Sequence, residues 1–342
     1  MTGDPSLMVP LPDHDSVDAA RFAAIRGDGR PAVFRGLVSR WPAVVAAREG
    51  RLSGYLNTLA TDETIPIVRA APEEGGLLHY EAALRGPNFT REPGTIRTFL
   101  ADLEVELGKP QPDTLAVQGL DARAALPGFL PTHPMPLLAP EIVPRVWIGT
   151  AAKVAIHNDP AENIACVVVG RRRFTLFAPE QLPNLYMGPF HITPAGTPVS
   201  MVHLTKPDFN RFPRFADALA TAETAELMAG DAIYIPYGWY HHVEALDTIN
   251  MLANYWWDPA RGDLGSPWDA LMHGMMSLRQ LPPDQRRVWR AMFDQYVFLA
   301  NGDPAAHLPP ATHGILAADT PEEIGQMRRG LIAALQRGQP TR

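Results

Sequence analysis

The sequence predicts a mainly β core, closed or sandwiched, with helices on its flanks and a helical segment at its C-terminal end. Three observations carry this. Seven short β-prone runs separated by turn residues fall between residues 145 and 256. The 35 prolines and 27 glycines are scattered as punctuation between apolar runs and form no repeat, which suits many short strands better than a helical bundle. After Asp258-Pro259 the apolar spacing changes to the helical period.

Taken in order, residues 1–15 are polar and proline-bearing and read as a loose arm. Helical spacing over 17–25 is followed by a short strand at 30–35, ending near Gly36. Helices are predicted over 42–49 and 96–107, the second with Thr95 as its N-cap. Residues 52–92 carry mixed short elements. The core strands are 145–149, 154–159, 164–169, 173–177, 231–235, 242–246 and 249–256. Residues 178–228 form an insertion in which 215–228 is helical in part. Helices follow at 267–279, 284–300 and 321–335. The division that results is 1–139 as α/β elements packing on the core, 140–258 as the core, and 259–342 as a helical segment that either covers the core or pairs with another chain.

At 342 residues with 46% hydrophobic and 20% charged residues, the chain can build a large core. Its net charge, 30 − 37 = −7, is spread without long runs of one sign, so neither nucleic acid nor an anionic membrane is expected as a partner. The single cysteine, Cys166, lies in an apolar run and excludes an internal disulfide framework. The N-terminus has no basic segment leading into an apolar run, and no stretch reaches 18 apolar residues. A cytoplasmic location is the expectation.

The chemistry centres on His157-Asn158-Asp159 and on His241, which lies 84 residues further on. Residues i and i+2 of a strand share a face, so His157 and Asp159 can aim at one point. Two imidazoles and a carboxylate can hold one face of a ferrous ion and leave its other positions open. Alone, His-x-Asp is a weak signal among eleven histidines. Its position strengthens it: the pair meets a turn at Asp159-Pro160, and His241 follows an apolar run, a proline stop and two aromatics. His241 and His242 compete for the third position, and alternation admits one of them without saying which.

The segments His157-Asn158-Asp159, Asn163, Gly170-Arg171-Arg172-Arg173-Phe174-Thr175-Leu176-Phe177-Ala178-Pro179, Gly230-Asp231-Ala232-Ile233-Tyr234-Ile235-Pro236-Tyr237-Gly238-Trp239-Tyr240-His241-His242 and Asn254-Tyr255-Trp256 together resemble the JmjC/cupin-8 family of Fe(II)- and 2-oxoglutarate-dependent oxygenases, which includes the factor-inhibiting-HIF asparaginyl hydroxylase group. The match spans roughly 140–258, with weaker similarity over 31–42. The resemblance implies a double-stranded β-helix (jelly-roll or cupin) core, with His157, Asp159 and His241 as iron ligands. It implies Asn163 and Asn254 near the cosubstrate and a homodimer formed through the C-terminal helices. Arg172 stands where the family has a lysine that pairs with the far carboxylate of 2-oxoglutarate, and arginine can hold a carboxylate in bidentate fashion. The family's tyrosine on an earlier strand has no counterpart in Leu115-Ala116-Val117-Gln118 unless Gln118 substitutes, and its threonine before the His-x-Asp pair is replaced within Lys153-Val154-Ala155-Ile156. Lys153, four residues before His157, is the rival anchor by strand parity.

The resemblance implies hydroxylation of a protein or peptide side chain, or of a small molecule, with release of succinate and CO2. The altered anchors keep a second reading open: a cupin-type metalloprotein, an isomerase or small-ligand binder, that does not use 2-oxoglutarate.

Overall fold

The computed structural model describes residues 8–194, 196–258 and 260–337. The chain divides into two compact units, one ending at Asp258 and one following it.

The first unit is built on two sheets. One has six strands, in the order Val9–Pro10 (β1), Glu223–Leu227 (β12), Arg172–Phe177 (β11), Tyr240–Ala245 (β14), Lys153–Asn158 (β9) and Leu77–Leu78 (β5). The other has nine: Asp13–His14 (β2), Ala32–Phe34 (β3), Ala232–Ile235 (β13), Glu162–Val169 (β10), Asn250–Trp257 (β15), Pro144–Gly149 (β8), Thr114–Asp121 (β7), Ile65–Ala70 (β4) and Thr90–Gly94 (β6). Phe174, Leu176 and Val243 of the first sheet pack with Ala165, Val167, Ile233 and Leu252 of the second, so apolar inner faces hold the two together. The eight strands from β8 to β15 make the antiparallel double-sheet core of a double-stranded β-helix.

β10 and β15 are buried almost end to end because both of their faces are covered. Their second face, with Ile164, Cys166, Val168 and Tyr255, packs against an apolar layer that includes Phe22, Val44, Leu56 and Phe99 from the N-terminal helices. Cys166 is therefore core, and burial pushes its thiol far above the usual range. The helix Ile96–Leu107 starts where its cap requires: Thr95 Oγ1 accepts from the Thr98 N–H, and the Thr98 hydroxyl accepts from the Thr95 N–H.

One segment departs from the sequence reading, and a second is helical in part, as read. Within the expected loose arm, Val9–Pro10 pairs with β12 and Asp13–His14 with β3, both parallel; residues 1–7 lie outside the described residues. The segment 215–228 is helical only over Phe215–Ala220, and its second half is the strand β12, held between β1 and β11. Besides the N-terminal helices, the elements before residue 140 contribute β2, β3, β4, β6 and β7, which extend the nine-stranded core sheet at both edges.

The second unit carries the helices Pro267–Leu278, Pro283–Tyr296 and Pro321–Gln336. The first is capped by the Ser266 hydroxyl and the last by a Thr320–Glu323 capping box. No helix among the described residues is long and apolar enough to cross a membrane.

Candidate metal centre

The chain crosses between the sheets twice at one end of the core, from β9 to β10 and from β13 to β14. Asp159 lies in the first crossing, one residue past β9, and His241 is the second residue of β14 after the other. His241 is the register partner of His157 on β9, and their ring centroids are 4.4 Å apart. One ligand atom from each of His157, Asp159 and His241 lies within 4.8 Å of the other two, and His241 Nε2 is 3.6 Å from Asp159 Oδ2.

Both imidazoles are oriented by the backbone. His157 Nδ1–H donates to the Ala155 carbonyl at 2.8 Å and His241 Nδ1–H to the Trp239 carbonyl at 3.2 Å. Each ring thereby presents an unprotonated Nε2, the form that binds a metal. Burial and the neighbouring His157 push the His241 pKa down to about 4, against the opposing pull of Asp159. The donor set of two imidazole nitrogens and a carboxylate oxygen suits Fe(II), which these three residues would hold beside the cavity.

That cavity lies between the two sheets. Beyond the three clustered residues it is lined by Asn163, Arg172 and Asn254, with Trp147, Trp256 and the aliphatic side chains of Val154, Val243 and Leu252. Asn254 Nδ2 donates to Asn163 Oδ1 at 3.3 Å, which leaves the Asn163 amide N–H2 free to donate into the cavity. Arg172 is buried, and no acidic group pairs with it among the described residues. Its Nε is buried without a hydrogen-bond partner, and burial alone lowers its pKa to about 10. An unpaired buried guanidinium is costly unless a ligand neutralises it.

Gly170 places Arg172 there. It turns β10 into β11 at φ +78°, and a Cβ at this position would collide with the Ile249 carbonyl oxygen. Only glycine meets both demands.

The parity argument for Lys153 is corrected by a bulge. Between the pairs His241↔His157 and Val243↔Val154, two β9 residues oppose one on β14, which reverses the alternation. Val154 therefore shares the cavity with His157, while Lys153 and Ala155 turn to the opposite face and line a separate outer pocket. The Lys153 ammonium donates to the Gly75 carbonyl at 3.4 Å. His242 also faces outward, into the pockets behind β14, so cross-strand register separates the two adjacent histidines. Gln118 does not line the metal cavity. Trp147 and Trp256 line the cavity, and their indole N–H groups lack partners.

Residues 18–263 match the Cupin-like domain family. Among curated proteins, the chain is 37% identical over 112 residues to lysine-specific demethylase JMJ31 of Arabidopsis thaliana, covering 32% of this chain and 20% of that protein. It is 32% identical over 118 residues to lysine-specific demethylase 8 of Xenopus tropicalis, covering 34% and 25%. Over 259 residues, 67% of this chain and 77% of the relative, it is 28% identical to the human bifunctional peptidase and (3S)-lysyl hydroxylase JMJD7. The chain thus spans a fifth to a quarter of the length of the two demethylases. With well over half of its residues inside the family match, and the His-Asp-His cluster in the double-sheet core, the chain belongs to the Cupin-like domain family.

Proposed function

We propose that the protein is an Fe(II)- and 2-oxoglutarate-dependent oxygenase that hydroxylates a side chain of a protein or peptide, or a small molecule. One observation carries the reading: a single cavity has His157, Asp159 and His241 at one end and the unpaired, buried Arg172 among its other walls. A 2-oxo dicarboxylate matches both, with its oxo-acid end for the metal and its far carboxylate for the guanidinium.

His157, Asp159 and His241 would hold the iron, and Asn163 and Asn254 would orient the oxo-acid end by donation from their amides. Bound there, Fe(II) supplies the redox chemistry by which O2 and 2-oxoglutarate are converted to succinate and CO2 as one oxygen atom enters a C–H bond of the substrate. The protein's own share is positioning and exclusion of water. Val154, Phe174, Val243 and Leu252 form the dry wall, and Arg172 fixes the cosubstrate against drift. The names of the relatives make a lysyl side chain of a protein the first substrate to test.

Succinate formation in the presence of Fe(II), ascorbate and 2-oxoglutarate tests the reading. Succinate that depends on Asp159 supports it. Tight metal binding with no 2-oxoglutarate affinity supports the cupin-type metalloprotein instead.

The partner we propose is a second copy of the chain, held through the C-terminal helices. Those helices bury no residue of their own, and among the described residues of the second unit only Ala305 is a buried apolar side chain. Leu271, Met272 and Met276 on one helix and Trp289, Met292 and Tyr296 on the next form exposed stripes at helical spacing. A two-fold interface lets such a surface cover itself.

A further inference from the structure

The cavity contains more unpartnered donors than a metal site explains. Trp147 Nε1, Trp256 Nε1 and Arg172 Nε are all buried, and none has a hydrogen-bond partner. An indole N–H can only donate, so it must meet an acceptor or carry the full cost of its desolvation.

The two indoles stand at different levels. Trp256 is the register partner of Asn163, close to the Asp159 crossing. Trp147 is the partner of Leu252, and the adjacent Met251 pairs with Val169, immediately before the Gly170 turn that leads into Arg172. Trp147 and Arg172 therefore belong to the end of the cavity away from the His-Asp-His cluster. The two indole rings meet edge to face at 6.1 Å, so each packs against the other.

We propose that the Trp147 indole N–H donates, beside Arg172, to the far carboxylate of the cosubstrate and makes the site selective for a dicarboxylic 2-oxo acid. This rests on the reading of the site as a 2-oxoglutarate pocket and adds a residue to it. The charge comes from Arg172, while Trp147 supplies a neutral donor. Together they replace hydroxyl donors, since neither the strand Thr114–Asp121 nor Lys153–Ile156 places a hydroxyl on the cavity lining. A carboxylate has two oxygens and about four acceptor sites, so guanidinium and indole can bind it together.

The test uses full-length protein loaded with Zn(II), which binds ligands without turnover. Calorimetry compares 2-oxoglutarate with 2-oxopentanoate, a chain of equal length without the far carboxylate. Trp147→Phe keeps an aromatic side chain and removes the indole N–H together with the pyrrole half of the ring system. The variant should bind 2-oxoglutarate about 10- to 100-fold more weakly, as loss of a hydrogen bond to a charged group requires, and 2-oxopentanoate unchanged. In the unsubstituted protein, the Trp147 indole 15N–1H resonance, assigned by through-bond and through-space correlations, should shift with 2-oxoglutarate and not with 2-oxopentanoate, a readout that does not need the variant to fold. Equal 2-oxoglutarate affinity in the two proteins, or an unmoved indole resonance on binding, overturns the role of Trp147 and leaves the cosubstrate reading intact. Failure of the unsubstituted protein to bind 2-oxoglutarate overturns both.

Discussion

His157 and His241 face one another across adjacent antiparallel strands, and each ring is pinned by an Nδ1–H bond to the carbonyl two residues before it. The pair is thus prepared on its Nε2 side before any metal arrives. His241→Ala or Asp159→Ala should lower Fe(II) affinity by at least 10-fold, since each removes one of three donors. His242→Ala should leave metal stoichiometry near that of the unsubstituted protein, because its imidazole lies behind the strand. Metal content after dialysis distinguishes them, and loss of metal from the His242 variant alone would reverse the assignment.

Arg172 should show a trade between stability and binding. Its buried guanidinium lacks an acidic partner, so Arg172→Met exchanges an unpaired charge for an apolar side chain. The ligand-free variant should melt a few degrees higher than the unsubstituted protein and lose 2-oxoglutarate affinity by about 100-fold or more. Thermal scans with and without 2-oxoglutarate measure both effects. A lower melting temperature with unchanged affinity would assign Arg172 a structural role.

Lys153→Ala should change 2-oxoglutarate affinity by less than about 2-fold, because the β9 bulge turns this side chain to the outer pocket. Calorimetry on the metal-loaded variant is sufficient, and a large loss would restore Lys153 as the anchor.

What could be read from the chain alone divides along local and non-local causes. The helix at 96–107 was legible to the residue because its cap and apolar period lie within it. The core strands came within about two residues because proline, glycine and aspartate mark their ends. Within 215–228, read as helical in part, the strand Glu223–Leu227 could not be seen, because its alanine- and glutamate-rich sequence favours a helix and pairing to β1 and β11 overrides that preference. The three clustered residues were legible through their motif. The bulge that diverts Lys153 and the register that selects His241 are properties of paired strands, absent from either strand alone. The Trp147 N–H becomes conspicuous only when its lack of a partner can be seen.

Acid should unfold the metal-free protein through its histidines. His133 is buried against Phe129; its Nε2 accepts from the Ala43 N–H and its Nδ1–H donates to the Phe129 carbonyl. Only the neutral ring satisfies both, and burial lowers its pKa from 6.5 to about 4. Between those values the unfolded chain binds a proton that the folded chain does not, so this stability is intact above pH 6.5 and is lost as pH falls toward 4. His203, His241 and His242 are shifted in the same direction. Urea midpoints should fall steadily across this window, and the His133 ring resonance should stay in its neutral position until near pH 4. Titration of that resonance near 6.5 would contradict the burial argument.

The last expectation concerns the second unit, whose helices leave their apolar stripes uncovered. Among the described residues of this unit only Ala305 is a buried apolar side chain, which is too little for a core of its own. If a second copy covers the stripes, Met276→Glu and Trp289→Glu each place a charge in an apolar interface and should convert a dimer to a monomer in light scattering. Truncation after Asp258 should do the same. Metal binding by the first unit should persist in the point variants, since His157, Asp159 and His241 all lie before the boundary at Asp258. A full-length protein that scatters as a monomer at all concentrations would exclude the second copy as the partner for these helices.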